Sequence, residues 1–421
     1  MKILLLFESL KLFKRNRLWL LFPALMLIIG TVVTINHWNN EKQIVDSVER
    51  QETKVLSMID TLTSNENNFN EMEKERFALQ IEEEKKKLEI LQSDDDVKKT
   101  ELKLLEWQNP DVISMDQTIG AEYPKMISSI VKELTVQEYQ LLLDRQIKPM
   151  YPLIAHIPET LIDFYTEQDW ESYYYLNYKR KYDQGWLAFY QFFQQNGSFL
   201  IYGLVVLIFG SSMTLEKTNK QNHQGFLTQL NVTPTKLLFT KIVVSFFWLS
   251  IILLVSATTV LVTAYLFSDM GSLNYPILTY YFPSEYAPLA YSWTTLGEYL
   301  IKAVMLLLMS CLLIISFCFV IGKWVRSELV VWVIGFSFIG LAYLSPAQMW
   351  NPLYYLHTHA ITSGLGSYYS NQNVSSKLGM LLQVISMGGM FLFYYLTERS
   401  KKNGIKEKSF LTRTYRSSSR L

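Results

Sequence analysis

The chain reads as an all-α membrane protein with six transmembrane helices, an N-terminal interfacial helix and a large, mainly helical extracellular domain between helices 1 and 2. Three observations predict this. Several apolar runs approach or reach the roughly 17–25 residues needed to cross about 30 Å of hydrocarbon. Lysine and arginine gather in alternate connections and are missing from the others. Between Glu41 and Trp107 there is neither proline nor glycine, and charges of both signs alternate. Hydrophobic residues make up 49% and charged residues 18%, too apolar for a disordered chain and too polar for spans alone. The net charge of +1 identifies no partner, and nothing points to nucleic acid.

Residues 1–16 place Ile3, Leu6, Phe7, Leu10 and Phe13 on one side and Glu8, Lys11 and Arg15 on the other, which predicts a helix lying in the inner interface. Within residues 17–37 the first span, Leu18–Ile35, outruns the usual ~7–15 apolar residues of a secretory signal. No small-x-small cleavage site follows, so it predicts an uncleaved anchor, with Asn36-His37-Trp38-Asn39-Asn40 as its membrane exit. The remaining candidates are Ser198–Thr214, Ile242–Phe267, Tyr299–Ile321, Leu329–Leu344 (the shortest) and Leu378–Thr397. Basic residues precede the first span, lie between spans two and three (Lys217, Lys220, Lys236, Lys241), and sit in the short link with Lys323 and Arg326. More follow the last span, from Arg399 to Arg420, whereas Ser268–Glu298 and Ser345–Ser376 contain none. The positive-inside rule then sets both termini in the cytoplasm, makes 398–421 a basic cytoplasmic tail and turns those two loops outward. The tail has enough charge to hold anionic lipid at about 1 kcal/mol per basic residue.

The outside domain, residues 38–196, divides by composition. Ile44, Val48, Val55, Ile59 and Leu62 keep helical spacings, Ser64-Asn65-Glu66-Asn67-Asn68 interrupts them, and Phe77, Ile81, Leu88 and Leu91 resume. Glu82 with Lys86 and Glu83 with Lys87 are i,i+4 pairs. Ser93-Asp94-Asp95-Asp96 is a second interruption and a helix cap before Val97–Trp107, giving two or three helices folded back as a stalk. From Asn109 on, prolines shorten the pieces, and aromatics from Trp170 to Phe193 accumulate ahead of the membrane, as an interfacial belt does.

Chemistry-bearing motifs are few. The chain has no GxxxxGK[ST], no HExxH, no paired CxxC and no GxSxG. His357-Thr358-His359 lacks a neighbouring carboxylate or cysteine and reads as a polar loop pair rather than a metal site. Cys311 and Cys318 stand seven residues apart on one face of the fourth span and read as packing residues. No catalytic residue, metal or cofactor is expected in this polypeptide. Lys302 is a lone cation near the outer end of span four, with Glu298 four residues earlier on the same face to pair with it; it reads as a snorkelling interfacial lysine, the alternative being a cation that attracts an acidic or zwitterionic ligand.

The loop after span two, residues 215–236, is too short for a domain and too polar for a bilayer. Thr218 or Asn219 can cap a helix there, Phe226, Leu227 and Leu230 share one face, and Pro234 ends it. With Glu216, Gly225, Leu227, Leu230, Pro234 and Lys241 in this order, with the six-span plan and lead-in helix, and with Trp350-Asn351-Pro352-Leu353 before the last span, the pattern resembles the membrane subunit of an ABC-2-type, type V exporter-like ABC transporter. The resemblance covers Met1–Ile35 and Gly197–Thr397, the latter being the bundle of spans two to six; the long outside domain departs from the smaller members.

The resemblance implies an ATP-driven exporter. Its 215–236 loop would be a coupling helix docked on a separate cytoplasmic ABC ATPase subunit that binds Mg-ATP. Phe226, Leu227 and Leu230 would be the contacts, Gly225 would permit close approach, and Glu216 would orient the junction. It further implies a homodimer or heterodimer of membrane subunits, membrane lipids as partners, and the plasma membrane of a bacterium as the location. Residues 346–376, with Trp350, Asn351 and Pro352, would be an outer re-entrant gate, irregular backbone being tolerated there only when buried in protein or facing water. The cargo would be an amphiphile: a peptide, toxin, antibiotic or lipid-like molecule. Two other classes compete: a sensor whose outside domain binds a peptide, and an intramembrane lipid enzyme, for which no acid–base pair is apparent.

Overall fold

Chain breakers and caps decide where each helix stops. The computed structural model describes residues 2–15, 18–65, 71–93, 95–108, 129–151, 153, 156, 159–162, 185–214, 233–281, 290–325 and 327–418. It opens with α1 (Lys2–Arg15) and α2 (Leu18–Asn65). Beyond Gly30, α2 contains neither proline nor glycine. Nothing therefore breaks it at the expected exit, and it runs through Trp38 into the charged stretch. The expected first span lies inside this 48-residue helix. α3 (Glu71–Gln92) packs along α2. α4 (Asp96–Gln108) starts where Asp95 Oδ1 accepts the N–H groups of Val97 and Lys98 at 3.1 and 3.2 Å. On α3, Lys86 meets Glu82 at 2.8 Å, as the spacing predicts, but Lys87 turns to Glu84 at 2.6 Å rather than to Glu83. α5 (Ser129–Asp144) packs on α4, and α6 (Glu159–Ile162) is a single turn.

Where the second span, Ser198–Thr214, is expected, the structure has α8 (Gly197–Phe209), extended by a 3-10 turn at Gly210–Ser212. Ahead of it lies α7 (Gly185–Gln194), set at 79° to α8. Asn196 takes the corner in the left-handed region at φ 57°, a conformation asparagine tolerates better than most residues. Gly197 follows because a Cβ there would sit 2.3 Å from the Phe192 ring. α9 (Pro234–Phe267) begins behind Thr233, whose Oγ1 accepts the Lys236 N–H at 3.3 Å. Expected to close the preceding helix, Pro234 in fact opens this one, at the first-turn position where its missing N–H costs nothing.

The all-α expectation also needs correction. Within Ser268–Glu298, read as a plain connection, β1 (Pro276–Tyr281) and β2 (Ala290–Thr295) pair antiparallel with Ile277 opposite Thr294 and Tyr280 opposite Tyr291. Alternating aromatic and β-branched residues suit a half-buried ribbon. The fold is nevertheless mostly helical, at 80%. After the ribbon come α10 (Leu296–Gly322) and α11 (Glu328–Tyr343). A 3-10 turn at Tyr354–Leu356 leads into the short helices α12 (Thr358–Thr362) and α13 (Leu365–Ser370). Finally α14 (Ser376–Ser418) continues as helix well past Thr397, the expected end of the last span.

Among the described residues three helices are long and apolar enough to cross a membrane: α9, α10 and the first part of α14, Ser376–Ser400. The bent α7–α8 pair qualifies as a fourth, and α11 is a shorter apolar helix. α10 is the most enclosed, with 61% of its most apolar window buried against 44% for α9 and 22% for α14. Its direction is shared by α8, since Gly210 lies beside Cys318 and Gly322 beside Thr214. α14 also runs with α10, as Gln383 donates to Ser310 and Lys323 meets Glu398. α11 runs the other way, with Gly335 beside Val206 and His357 bonded to the carbonyl of Ala342 near its end. One end of the bundle carries the ribbon; the other carries Thr214 and Thr233, between which residues 215–232 lie outside the described residues.

Gly364 ties α12 and α13 to the ribbon. Its φ is +84°, and a Cβ there would lie 1.8 Å from the Tyr280 carbonyl oxygen, while Tyr280 N–H donates to Ser363 O at 2.7 Å. Gly364→Ala should therefore cost more than the ~1–2 kcal/mol of a left-handed residue alone. Gly388→Ala, with nothing within 4 Å, should be near neutral. Thermal unfolding of the two variants in detergent checks the contrast.

Candidate functional site

Glu216, Gly225, Phe226, Leu227 and Leu230 lie outside the described residues, as do the candidate caps Thr218 and Asn219. The two roots of that segment are described, and both are held. On one side Thr214 is fully buried, and Gly322 gives it room: a Cβ there would lie 3.1 Å from Met213 and 3.2 Å from Thr214 Oγ1. On the other, the Pro234 carbonyl accepts a hydrogen bond from the Tyr394 hydroxyl at 3.4 Å. Tyr394 in turn accepts from Lys323 Nζ at 3.2 Å, and that ammonium lies 5.1 Å from the ring centroid and 2.7 Å from Glu398. One tyrosine thus joins α9, α10 and α14 at the loop end.

Lys241, two turns into α9, donates to Glu8 Oε2 of α1 at 2.8 Å; the side chains are 3% and 4% exposed. Next to this pair, Trp248 Nε1 donates to Ser9 Oγ at 2.9 Å. The sequence places Glu8 on a solvated face with Lys11 and Arg15, but the structure turns it inward. Meanwhile Leu6, Phe7 and Leu10 stay outward and exposed. The missed signal is that the only acid of α1 has a lysine to meet on another helix, 233 residues away. Two charges taken out of water repay their desolvation only as a pair. Glu8 Oε1 has no partner among the described residues, which makes Lys241 the harder to lose.

The other predicted residues do not converge. Glu298, in the first turn of α10, accepts from the Thr294 hydroxyl at 2.7 Å and donates its N–H to the capping Thr295 Oγ1 at 3.3 Å, while Lys302 is exposed and no ion pair joins them. Trp350 is 69% exposed. Asn351 closes a turn by accepting the Leu353 N–H at 3.1 Å, with Pro352 between them. Residues 346–376 are irregular backbone and short helices, with Tyr355, Leu356 and Thr358 fully buried.

At the ribbon end, a polar cluster forms around His359, a residue expected in a loop. Its Nδ1 lies 2.7 Å from the Tyr299 hydroxyl and its Nε2 lies 3.2 Å from Glu159 Oε2 of α6. Gln194 at the end of α7 donates to Glu159 Oε1 at 2.6 Å, and the Glu159 N–H donates to the Tyr280 hydroxyl at 3.0 Å. Burial raises the Glu159 pKa, but the His359 charge and the hydrogen bonds from His359 and Gln194 outweigh it and hold the carboxyl below its ordinary 4.5. A second pair stands nearby, His156 Nδ1 at 2.8 Å from the fully buried Glu138, which also accepts from Tyr275. His357 is engaged separately, through the Ala342 carbonyl.

Among the described residues no group of three or more histidine, cysteine, aspartate or glutamate side chains is arranged to hold a metal ion. Cys311 and Cys318 are buried thiols, the second against Gly210 and Gly335. Comparison with family models, with curated proteins and with solved structures returns no match to this chain.

Two outcomes follow from this geometry. Lys241→Met strands the buried Glu8 carboxylate and should lose about 3–5 kcal/mol, most of it regained when Glu8→Leu is added; a double-mutant cycle by thermal unfolding reads this. Because the Glu159 pKa is lowered on folding, its contribution is present above about pH 4.5 and is lost as the pH falls through the lowered value. The wild-type melting temperature should therefore drop more steeply from pH 6 to pH 3 than that of Glu159→Gln.

Proposed function

We propose that this protein is the membrane subunit of an ATP-driven exporter, moving an amphiphilic cargo while a separate cytoplasmic ABC ATPase subunit hydrolyses Mg-ATP. The observation that carries the reading is the buried Glu8–Lys241 pair. It lies two turns beyond the end of the basic connecting segment and fastens the start of α9 to the N-terminal helix. A push delivered to residues 215–232 has no slack at either root: Thr214 is packed on Gly322, and Pro234 is bonded to Tyr394. It must move α9, and with it α1, whose Leu6, Phe7 and Leu10 face outward as a lipid-contacting helix would present them.

Charge supports the orientation. All the basic connections belong to the loop end, so in this reading that end is cytoplasmic and the ribbon end outside. The six-span plan then takes α2, α7–α8, α9, α10, α11 and α14 as its spans, alternating in direction. The domain between α2 and α7 stands outside, and 346–376 is the outer re-entrant segment. Two such subunits and two ATPases would make the working unit, in the plasma membrane of a bacterium. Phe226, Leu227 and Leu230 are the contacts offered to the ATPase, with Gly225 allowing approach and Glu216 at the junction.

A second reading has one observation in its favour. α2 is unbroken from the expected first span to Asn65, so a peptide bound to the outside domain could signal through it to the basic tail. Co-purification of an ATPase favours the exporter, and of a histidine kinase the sensor. In the reconstituted complex, Leu227→Asp or deletion of Gln224–Gln229 should abolish cargo-linked stimulation of the ATPase while membrane insertion stays intact. Unchanged stimulation removes this loop from the mechanism.

A further inference from the structure

Glu159 stands where α7, α12 and β1 come together, and it belongs to no element of the proposed coupling path. Its single turn, α6, is joined directly to three other elements and through one of them to a fourth. The carboxylate meets His359 of α12 and Gln194 of α7, its N–H meets Tyr280 of β1, and His359 passes the contact on to Tyr299 of α10. His156, three residues earlier, is paired with Glu138 and thereby fixed to α5, and its backbone N–H donates to Thr135 at 2.9 Å. The aromatic ring of Tyr190 closes the cluster against both Tyr299 and His359, at 4.9 and 5.7 Å.

His359 of α12 is held from two sides, by Glu159 of α6 and by Tyr299 of α10. His359 is buried at 5% exposure and uses both ring nitrogens, so α12 cannot shift without stranding either the imidazole or the carboxylate. On its other side α12 is followed by the Gly364 corner, jammed against Tyr280. We infer that α6 is a lock: through Glu159 it holds the α12–α13 segment against α7 and β1, so that this segment moves only when α6 releases it. In the exporter reading this makes the domain between the first two spans a controller of the outer re-entrant segment. The lock itself does not depend on that reading, because it is a property of the isolated chain.

The test uses the full chain in nanodiscs, without an ATPase or cargo. The native thiols are buried, so Thr362→Cys, on α12 and 8% exposed in the native chain, supplies the reporter for a bulky maleimide. In this background the reporter should label slowly. Glu159→Gln and His359→Asn should each raise its rate at least tenfold, Gln194→Ala should raise it by a smaller factor, and Glu138→Gln should leave it within about twofold. Unchanged labelling in both Glu159→Gln and Gln194→Ala overturns the lock, and Gln194→Ala decides alone if the charged variants fail to fold. A rise with Glu138→Gln but not with Glu159→Gln also overturns it, since the restraint then lies in α5. Failure here leaves ATPase stimulation through residues 215–232 untouched, so the two ideas fall separately.

Discussion

Apolar helices surrounded by hydrocarbon gain nothing by hiding from water, so their association depends on close contact. α10 supplies that contact for the whole bundle. It carries small or thin side chains where neighbours approach: Ala303, Ser310, Cys311, Ser316, Cys318 and Gly322 are all buried. Opposite them, Gly210 and Gly335 let two backbones come within reach of the same cysteine sulfur. Because α10 touches α8, α9, α11 and α14, and also the ribbon and the 3-10 turn, a change in its position is felt at both ends of the molecule.

Polar contacts are then placed where packing alone would leave elements free. At the loop end there are Lys241 with Glu8 and Lys323 with Glu398; at the ribbon end there are Glu159 with His359 and Glu138 with His156. Between them, Gln383 and Ser310 share a hydrogen bond at 2.8 Å inside the bundle. Buried ionic groups are a costly way to gain stability, since well-packed apolar residues often serve as well. What they add is geometry: each of these pairs joins segments distant in sequence and fixes how the two may sit. Such pairs are suited to a machine whose parts must hold one arrangement and then leave it.

Much of this was legible in the sequence, for identifiable reasons. The apolar runs that became α9 and α10 were plain because their length and hydropathy are unambiguous. The breaks at Asn65 and before Asp96 were plain because polar clusters interrupt a periodic pattern. The 79° corner at Asn196 was not: Gln194-Gln195-Asn196-Gly197-Ser198 marks a break in the apolar pattern, but hydropathy gives no angle between the helices on either side of it. Nor was the ribbon, since Ser268–Glu298 reads only as an outward connection without lysine or arginine, and pairing such as Ile277 with Thr294 shows only in the register. The pairs Glu8–Lys241 and Glu159–His359 span 233 and 200 residues, and no local pattern announces a contact of that range. The proposed coupling residues were singled out by order and composition alone; of these, the structure places only Pro234 and Lys241, and it gives Lys241 a partner.

The unbroken length of α2 has a geometric consequence. Forty-eight residues at 1.5 Å per residue make a rod of about 72 Å, more than twice the thickness of hydrocarbon it would cross. With no break along its length, such a rod acts as an amplifier: a lean of about 10° at one end sweeps the other by roughly 12 Å. A displacement too small to reopen a packed interface among the spans would therefore arrive at the distal domain as a stroke the size of a helix diameter.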